Sequence, residues 1–410
     1  MPRSAQGRRR AIGAAVADAS VYVDHAATTP VHPTVARAMS PYLSGRFGNP
    51  SSLYRLGREA QAAIDDARDR VAAVLGCRPG EVVFTSGGTE SINLALKGVA
   101  FAQQLAGVGE RIVSTAVEHH AVLHTLEFLE RFGFDIVRVG VDGEGRVDPA
   151  AVAAAVDERT VLVNVMLANN EVGTVQPVAA VAAALRDRAA EMGRLVPLHT
   201  DAVQAPGQLP LDVGALGVDL LSISAHKFRG PKGVGALFLR RGTPFLAQQT
   251  GGGQERARRA GTENPGGIVG MAVALELAEQ QRELHVRHVR GLRDRFFERA
   301  LREIPGAVRN GASDDRLANN ANVRFDGVDG QSLLEALDEA GVAASSGSAC
   351  TAQSWEPSHV LLAMDVDQDA AAGSLRLSFG LENSRTDVDV IVELLREIVP
   401  ALRAAETVAT

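Results

Sequence analysis

Apolar runs rich in β-branched residues alternate with helical patterns from about residue 82 onward. The runs predicted to be strands cover residues 82–85, 111–114, 160–166, 195–200, 219–224 and 235–239. The stretches between them, such as 89–106 and 178–192, are predicted to be helices. Strands without polar alternation, separated by helices, are typical of a mainly parallel sheet with helices on both faces.

The remainder of the chain has a different order of elements. Beyond residue 267 a long helical stretch runs to about residue 304. It is followed by a strand over 322–325, a helix from Gln331, a strand over 374–379 and a closing helix from Thr386. This order predicts a second, smaller α+β domain. We therefore expect a large domain at residues 21–267 and a small domain at 268–410.

Residues 1–20 contain four arginines, no acidic residue before Asp18 and no helical or strand period. We interpret them as a disordered tail. An organelle transit peptide is the alternative, since such peptides are rich in arginine and poor in acids.

Composition narrows the kinds of partner. A net charge of -7 argues against a broad surface for nucleic acid or anionic membrane, because both need clustered positive charge. No apolar run approaches the roughly 18 residues that a membrane span requires. Cys77 and Cys350 form neither a CxxC pair nor a disulfide framework, and no secretory h-region precedes them. We expect a cytoplasmic protein that acts on a small molecule, without direct nucleic-acid or membrane binding.

Lysine is rare, with only Lys97, Lys227 and Lys232 in the chain. A Schiff base needs a primary amine that can lose its proton, which arginine does not offer. Lys227 comes just after the predicted strand 219–224, where partial desolvation would lower the pKa of the amine. Compositional bias of the genome is the alternative explanation for the scarcity.

Polar residues follow three of the predicted strands. Gly88 and Thr89 open a helix after strand 82–85, where free N–H groups and the helix dipole favour a phosphate. A plain glycine turn capped by Thr89 is equally compatible. The motifs GxxxxGK[ST] and GxGxxG are absent, which argues against ATP and NAD.

The next two strand ends suggest a different cofactor. Asp201 follows strand 195–200 and could pair with the ring nitrogen of pyridoxal 5'-phosphate (PLP), although a helix cap is the commoner role for such a residue. Gln204 could donate to the ring oxygen. Ser224 and His226, beside Lys227, could contact the phosphate.

These segments resemble the cysteine desulfurases of NifS/IscS type, within the class V aminotransferase group of fold-type I PLP enzymes. The matching motifs are VDHAATTP (23–30), FGNPSS (47–52), TSGGTES (85–91), ANNEVG (168–173), HTDAVQ (199–204), SISAHKFRGPKGVGAL (222–237), GGGQERARRAGTEN (251–264), SSGSACT (345–351) and SLRLSFG (374–380). They occur in the family's order over residues 21–400. The resemblance implies the α/β fold of the PLP-dependent transferases, with a large mainly parallel sheet and a smaller α+β domain.

The resemblance also implies a set of cofactor-binding residues. Lys227 would hold PLP as a Schiff base, Asp201 would pair with the ring nitrogen and Gln204 would bind the ring oxygen. His119 would stack on the ring, although Val117 stands where the family usually has threonine. The phosphate ligands would be Gly88, Thr89, Ser224, His226 and, across the interface of a homodimer, Thr262. His119, His120 and His124 have the spacing of metal ligands, but no third ligand is evident and we expect no metal site.

For the substrate, the resemblance implies that Asn170 and Arg376 orient L-cysteine, with Arg376 on its carboxylate. Cys350 would attack the substrate sulfur and carry it as a persulfide. The Ser, Gly and Ala residues beside Cys350 predict a mobile loop, because they offer little apolar area to bury. Cys77 is expected to be a packing residue at a helix end.

The predicted activity is PLP-dependent conversion of L-cysteine to L-alanine. The sulfur would pass to an acceptor protein, such as an iron-sulfur scaffold or a tRNA thiolase. A selenocysteine lyase or another class V aminotransferase could use the same scaffold. A cofactor-free sulfur-relay or scaffold protein is the alternative from a different class.

Overall fold

The computed structural model describes residues 21–347 and 357–409. The chain divides into two compact units. The larger unit comprises residues 28–169 and 174–283, and the smaller unit comprises the described residues of 21–27, 170–173 and 284–409. The predicted domain boundary at residue 267 differs from this division, because the helix Pro265–Gln280 packs on the helices Pro33–Met39 and Arg55–Leu75 of the larger unit.

The described residues form the following strands and helices. The strands are β1 (Val21–Tyr22), β2 (Val82–Thr85), β3 (Arg111–Thr115), β4 (Asp135–Val139), β5 (Thr160–Asn164), β6 (Leu198–Asp201), β7 (Leu220–Ser224), β8 (Gly235–Leu239), β9 (Ala307–Arg309), β10 (Asn320–Phe325), β11 (Val342–Ala343) and β12 (Ser374–Ser378). The helices are α1 (Pro33–Met39), α2 (Arg55–Leu75), α3 (Gly88–Leu105), α4 (His120–Glu130), α5 (Pro149–Ala154), α6 (Val178–Met192), α7 (Val213–Leu216), α8 (Pro265–Gln280), α9 (Arg282–Glu303), α10 (Gly330–Glu339), α11 (His359–Ala363), α12 (Gln368–Ala372) and α13 (Arg385–Ala409). No helix among these is long and apolar enough to cross a membrane.

The larger unit is built on a seven-stranded sheet with the order β2-β8-β7-β6-β5-β3-β4. Only β8 runs in the direction opposite to the other strands of this sheet, so the predicted mainly parallel sheet is confirmed. The sequence analysis missed β4. This strand lies at the sheet edge, where its residues are half-buried or exposed and include Asp135 and Arg138, so no apolar run marks it.

Successive strand residues enter different apolar cores, as expected for a sheet covered on both faces. In β3, Ile112 packs with α3 and α4, whereas Val113 belongs to the core formed with α2, α6 and α8. Every residue of β5, β7 and β8 is buried. Because β3, β5, β6 and β7 pair in parallel, their carboxyl ends share one edge of the sheet, which is where open α/β sheets bind ligands.

Local signals set the ends of several helices in the larger unit. Helix α2 ends at Gly76, whose φ of 65° is a left-handed conformation that glycine adopts without strain. Helix α8 begins with Pro265, and the Asn264 side chain accepts a hydrogen bond from Gly267 N at 3.0 Å. Helix α4 is capped by His119, described below.

The smaller unit contains a three-stranded antiparallel sheet in the order β12-β10-β9 and a parallel pair of β1 with β11. Its core includes Phe296, Phe325 and Phe379, which are fully buried. The helical stretch predicted beyond residue 267 is two helices, α8 and α9, separated at Gln281.

Candidate active site

Three predicted cofactor residues come together where β6 and β7 end. Asp201 is the last residue of β6 and pairs with Ser222 of β7, and Ser224 is the last residue of β7. The turn Ala225–Lys227 follows directly and brings Lys227 into electrostatic contact with Asp201. A carboxylate, a hydroxyl and an amine thus lie at one edge of the sheet.

Asp201 is a buried carboxyl group. Burial raises its pKa to about 6, against the opposing effects of a hydrogen bond from Val203 N at 2.9 Å and the charge of Lys227. A carboxylate in such surroundings is stabilised by a cationic hydrogen-bond donor. The protonated ring nitrogen of PLP is a donor of that kind.

A row of buried polar side chains crosses four strands beneath this site. Asn164 of β5 donates from Nδ2 to Ser114 Oγ of β3 at 3.1 Å, and its Oδ1 lies 2.6 Å from His199 Nδ1 of β6. Ser222 Oγ of β7 lies 2.9 Å from His199 Nε2. Burial lowers the pKa of His199 to about 3, so the imidazole is neutral.

The polar row lies on the same sheet face as the cofactor candidates, because residues two apart in a strand share a face. His199 precedes Asp201 by two residues, and Ser222 precedes Ser224 by two. The sequence analysis did not single out Ser114, Asn164 or His199. The HTDAVQ motif contains His199, but the sequence analysis assigned roles only to the aspartate and the glutamine of this motif.

A second buried carboxyl group, Glu118, was also missed. Its Oε1 accepts hydrogen bonds from Thr115 Oγ1 and Met166 N, both at 2.8 Å. Burial, with a smaller contribution from the charge of Asp201, raises the pKa of Glu118 to about 8. The side chain is therefore mainly protonated at neutral pH.

Replacing Glu118 with glutamine should flatten the dependence of stability on pH. Unfolded Glu118 loses its proton near pH 4.5, whereas the folded group keeps it until about pH 8. The parent should therefore lose stability relative to Glu118→Gln as pH rises between these values. Urea unfolding of both cofactor-free proteins at pH 5 and pH 8 measures this difference. An equal change in both proteins would show that Glu118 does not titrate in this way.

The start of helix α3 offers a phosphate cradle. A Cβ atom at Gly88 would lie 2.8 Å from Val203 Cγ2 and 3.3 Å from Ser224 Cβ, so only glycine permits this close packing. The first turn of an 18-residue helix supplies free N–H groups beside the Ser224 hydroxyl. These residues fit the phosphate of PLP. Thr89 is exposed in the same turn.

His226 and His119 are held by hydrogen bonds at their Nδ1 atoms. His226 Nδ1 lies 3.1 Å from Thr28 Oγ1, and burial lowers the pKa of His226 to about 4. His226 is thus a neutral hydrogen-bonding group at pH 7.

His119 Nδ1 accepts from Ala121 N at 3.0 Å, which caps α4 and leaves the ring proton of the neutral form on Nε2. Gln204 is half-buried in the turn after β6.

Thr262 is exposed and lines a cavity of about 140 Å³ together with Ser86 and Arg259. The segment 251–264, which contains Thr262, is bonded to the edge strand β2 through Glu255. This buried carboxylate forms two hydrogen bonds with Arg68, at 2.8 and 2.9 Å, and accepts from Phe84 N at 3.1 Å. Left-handed φ values of 46°, 58° and 61° occur at three consecutive residues, Glu255, Arg256 and Ala257. The ion pair stabilises this uncommon backbone.

Replacing Glu255 with alanine should lower the free energy of unfolding by about 3–5 kcal/mol, because Arg68 would stay buried without its counter-ion. The matched control is Glu59→Ala, which breaks an ion pair with Arg55 whose side chains are 39% and 76% exposed. Its expected cost is below about 1 kcal/mol. Urea unfolding measures both values, and similar losses in the two variants would contradict the prediction.

In the smaller unit, the structure brings Asn170 and Arg376 together. Arg376 of β12 is 3% exposed and donates from Nη1 to Asn170 O at 3.1 Å. Its Nη2 donates to Asp24 Oδ1 at 2.7 Å. Asp24 lies in the VDHAATTP motif, but the sequence analysis gave it no role.

The two cysteines lie in different parts of the chain. Cys350, with its predicted mobile loop, lies outside the described residues. Cys77 follows the end of α2, is half-buried and packs against the core of the larger unit. Burial raises the pKa of the Cys77 thiol to about 12, so this cysteine is a poor nucleophile at neutral pH.

Comparison with known proteins agrees with this geometry. Residues 21–391 match the family described as Aminotransferase class-V. Cysteine desulfurase IscS of Dictyoglomus turgidum is 46% identical over 93% of this chain and 95% of that protein. The IscS-like cysteine desulfurase of Mycobacterium tuberculosis is 47% identical over 95% of this chain and 98% of that protein.

Solved structures show the same likeness. A NifS-like protein superposes with a TM-score of 0.86 at 38% identity, covering 93% of this chain and all (100%) of that one. The structure of SspA in complex with cysteine superposes with a TM-score of 0.76 at 35% identity, covering 88% of this chain and 99% of that one.

The chain therefore belongs to the aminotransferase class-V family. Within that family it is one of the PLP-dependent cysteine desulfurases of NifS/IscS type. The predicted family, fold class and cofactor are thereby confirmed. The roles of individual residues stay predictions.

Proposed function

We propose that this cysteine desulfurase removes sulfur from L-cysteine, releases L-alanine and carries the sulfur as a persulfide on Cys350. The observation that carries the proposal is the grouping of Lys227, the buried Asp201 and the Gly88–Ser224 cradle at one edge of the sheet. An amine, a buried carboxylate and a phosphate cradle are the groups by which a protein holds PLP.

When bound, PLP supplies an electron sink for the electrons left at the substrate Cα after proton removal. The Lys227 amine would take that proton as a general base. Asp201 would accept a hydrogen bond from the protonated ring nitrogen and so preserve its charge. His119 would stack on the ring in the orientation that its cap of α4 fixes, while Gln204 would donate to the ring oxygen.

The guanidinium group of Arg376 is held in a fixed orientation in which it could bind the carboxylate of cysteine. Asp24 and the carbonyl of Asn170 hold its two terminal nitrogens. Within the described part of the chain, the buried Nε atom of Arg376 has no hydrogen-bond partner. A buried donor without an acceptor is costly, so a substrate carboxylate would add a favourable hydrogen bond there.

The sulfur step uses a thiolate as nucleophile. The Cys350 sulfur attacks the substrate sulfur, so that an S–S bond forms while the substrate bond between Cβ and sulfur breaks. The electron pair of the broken bond stays with the carbon fragment, which takes up a proton and leaves as alanine. No external oxidant or reductant is needed, and the second sulfur remains on the enzyme.

We also propose a cytoplasmic homodimer in which Thr262 reaches the phosphate bound by the partner subunit. The exposure of Thr262, on a segment that Glu255 fastens to β2, supports this arrangement. A sulfur-acceptor protein, such as an iron-sulfur scaffold or a tRNA thiolase, would then receive the persulfide sulfur.

The reaction is tested by incubating the PLP-loaded protein with L-cysteine and a reductant. We expect sulfide and alanine in equal amounts. A keto acid that retains the sulfur, formed as the main product in place of alanine, would refute the desulfurase reaction in favour of an aminotransferase. A large preference for selenocysteine in the same assay would favour a selenocysteine lyase.

A further inference from the structure

The turn that carries Lys227 is hydrogen-bonded on both sides of the lysine by one residue, Thr29. On the near side, Thr29 donates to His226 O from its backbone N at 2.9 Å and from Oγ1 at 2.8 Å. On the far side, Thr29 Oγ1 accepts a hydrogen bond from Arg229 N at 2.8 Å. Thr29 is 5% exposed, and all of these residues belong to the larger unit. A single buried hydroxyl thus joins the backbone before Lys227 to the backbone after it.

The far side of the turn has an uncommon backbone conformation. Arg229 has a φ of 64°, in the left-handed region that is costly for residues other than glycine. Its amide donates to Thr29 Oγ1, and its carbonyl oxygen accepts a hydrogen bond from His32 N at 2.9 Å. Both bonds come from segment 28–32 and stabilise this conformation. Without the Thr29 hydroxyl, the Arg229 amide would lose its acceptor in the protein, and the left-handed turn would be less favoured.

Thr29 is itself held by contacts outside the turn that it binds. Lys232 Nζ donates to Thr29 O at 2.8 Å, which gives a structural contact to one of the three lysines in the chain. Helix α1 begins four residues after Thr29, at Pro33, and packs on α8. Val35 of α1 is fully buried in the core of the larger unit. Thr29 is therefore anchored to the larger unit on one side and to the Lys227 turn on the other.

We propose that Thr29 is a positioning residue for Lys227. By binding the backbone before and after the lysine, it fixes the part of the chain from which the amine extends. A turn with fewer accessible conformations keeps its amine in the reactive position for a larger fraction of the time. The inference rests on the proposed role of Lys227 as PLP ligand and general base, and it adds a residue that acts on this lysine through the backbone.

The test uses the full-length, PLP-loaded Thr29→Val variant, which loses the hydroxyl but keeps the shape of the side chain. Nuclear magnetic resonance follows the replacement of the Cα hydrogen of L-alanine by deuterium in D2O, a step that needs the Lys227 base but no thiol. Amide hydrogen exchange with mass spectrometry reports on the turn itself, in the peptide 225–232. We expect Cα exchange to slow by about tenfold and the turn amides to exchange faster, with an unchanged affinity for alanine.

Further variants separate positioning from general damage. Thr29→Ser restores a hydroxyl and should recover most of the rate and of the amide protection. Thr160→Val makes the same change at a fully buried threonine, whose Oγ1 accepts from Asp157 N at 2.9 Å at the amino end of β5. It should leave both measurements unchanged. If Thr29→Val does not fold, Lys232→Met decides the question, because it removes the bond to Thr29 O from an exposed position and should slow Cα exchange by about threefold.

The proposal is overturned if Thr29→Val exchanges the Cα hydrogen at the parental rate, if it slows without faster exchange of the turn amides, or if Thr160→Val slows equally. For Lys232→Met, the parental rate would have the same meaning. Failure of the proposed function gives a different result. In that case the parent shows no Cα exchange, or Lys227→Ala exchanges as fast as the parent.

Discussion

Replacing Lys227 with alanine should eliminate the lysine-bound form of PLP and lower turnover of L-cysteine by at least about 10³-fold. Loss of a general base alone costs about 10²–10⁴-fold, and the attachment of the cofactor is lost as well. The other lysines are engaged elsewhere. Lys232 Nζ donates to Thr29 O at 2.8 Å, and Lys97 Nζ lies 4.0 Å from the centre of the Phe128 ring.

The visible absorption band of the bound cofactor and the release of alanine and sulfide measure these effects. Lys97→Ala is the matched control, because it removes a half-buried lysine on helix α3. It should keep both the absorption band and the rate. If Lys227→Ala turned over cysteine at the parental rate, the assignment of Lys227 would be wrong.

Replacing Cys350 with serine should nearly abolish sulfide release while leaving PLP and cysteine binding intact. A hydroxyl cannot accept the substrate sulfur as a persulfide, whereas the phosphate cradle and Asp201, which would hold PLP, are formed by other residues. After brief exposure to cysteine, the parent should carry one extra sulfur on the peptide that contains Cys350, as seen by mass spectrometry.

Cys77→Ala provides the matched control, because it removes a thiol whose pKa is raised to about 12. Its sulfide release should equal that of the parent. Cofactor loss in Cys350→Ser, or parental sulfide release from it, would mean that Cys350 is structural or incidental. Another PLP reaction would then have to explain the site.

Sequence patterns predicted the buried framework of the larger unit well, and for a physical reason. Strands such as β7 and β8 are buried on both faces, so every position carries a small or apolar residue and the run stands out. The edge strand β4 is half-buried with one exposed residue, contains Asp135 and Arg138, and so lacks an uninterrupted apolar run. Chain spacing also could not reveal that α8 packs on α1 and α2, since the contact joins segments far apart in sequence.

The sequence predicted those residues of the candidate site that lie at strand ends or in recognised motifs. Lys227, Asp201 and Ser224 follow strands directly, and the shared edge of the sheet brings them together. Glu118 and His199 are buried polar residues whose hydrogen-bond partners lie in other strands or loops. A sequence does not show which polar residues will be enclosed, so Asp24 was passed over inside a motif that was otherwise recognised.

The polar row of Ser114, Asn164, His199 and Ser222 has a consequence for strand alignment. A strand that is apolar on both faces loses little hydrophobic burial when it slips along its neighbour, so alternation alone defines its register weakly. A slip of one residue would turn these side chains to the opposite face and leave buried polar atoms unpaired, which is costly. The row thus favours a single register of strand pairing across β3, β5, β6 and β7. Misaligned pairings are thereby disfavoured, and Asp201 stays opposite Ser222, with Ser224 two residues further along β7.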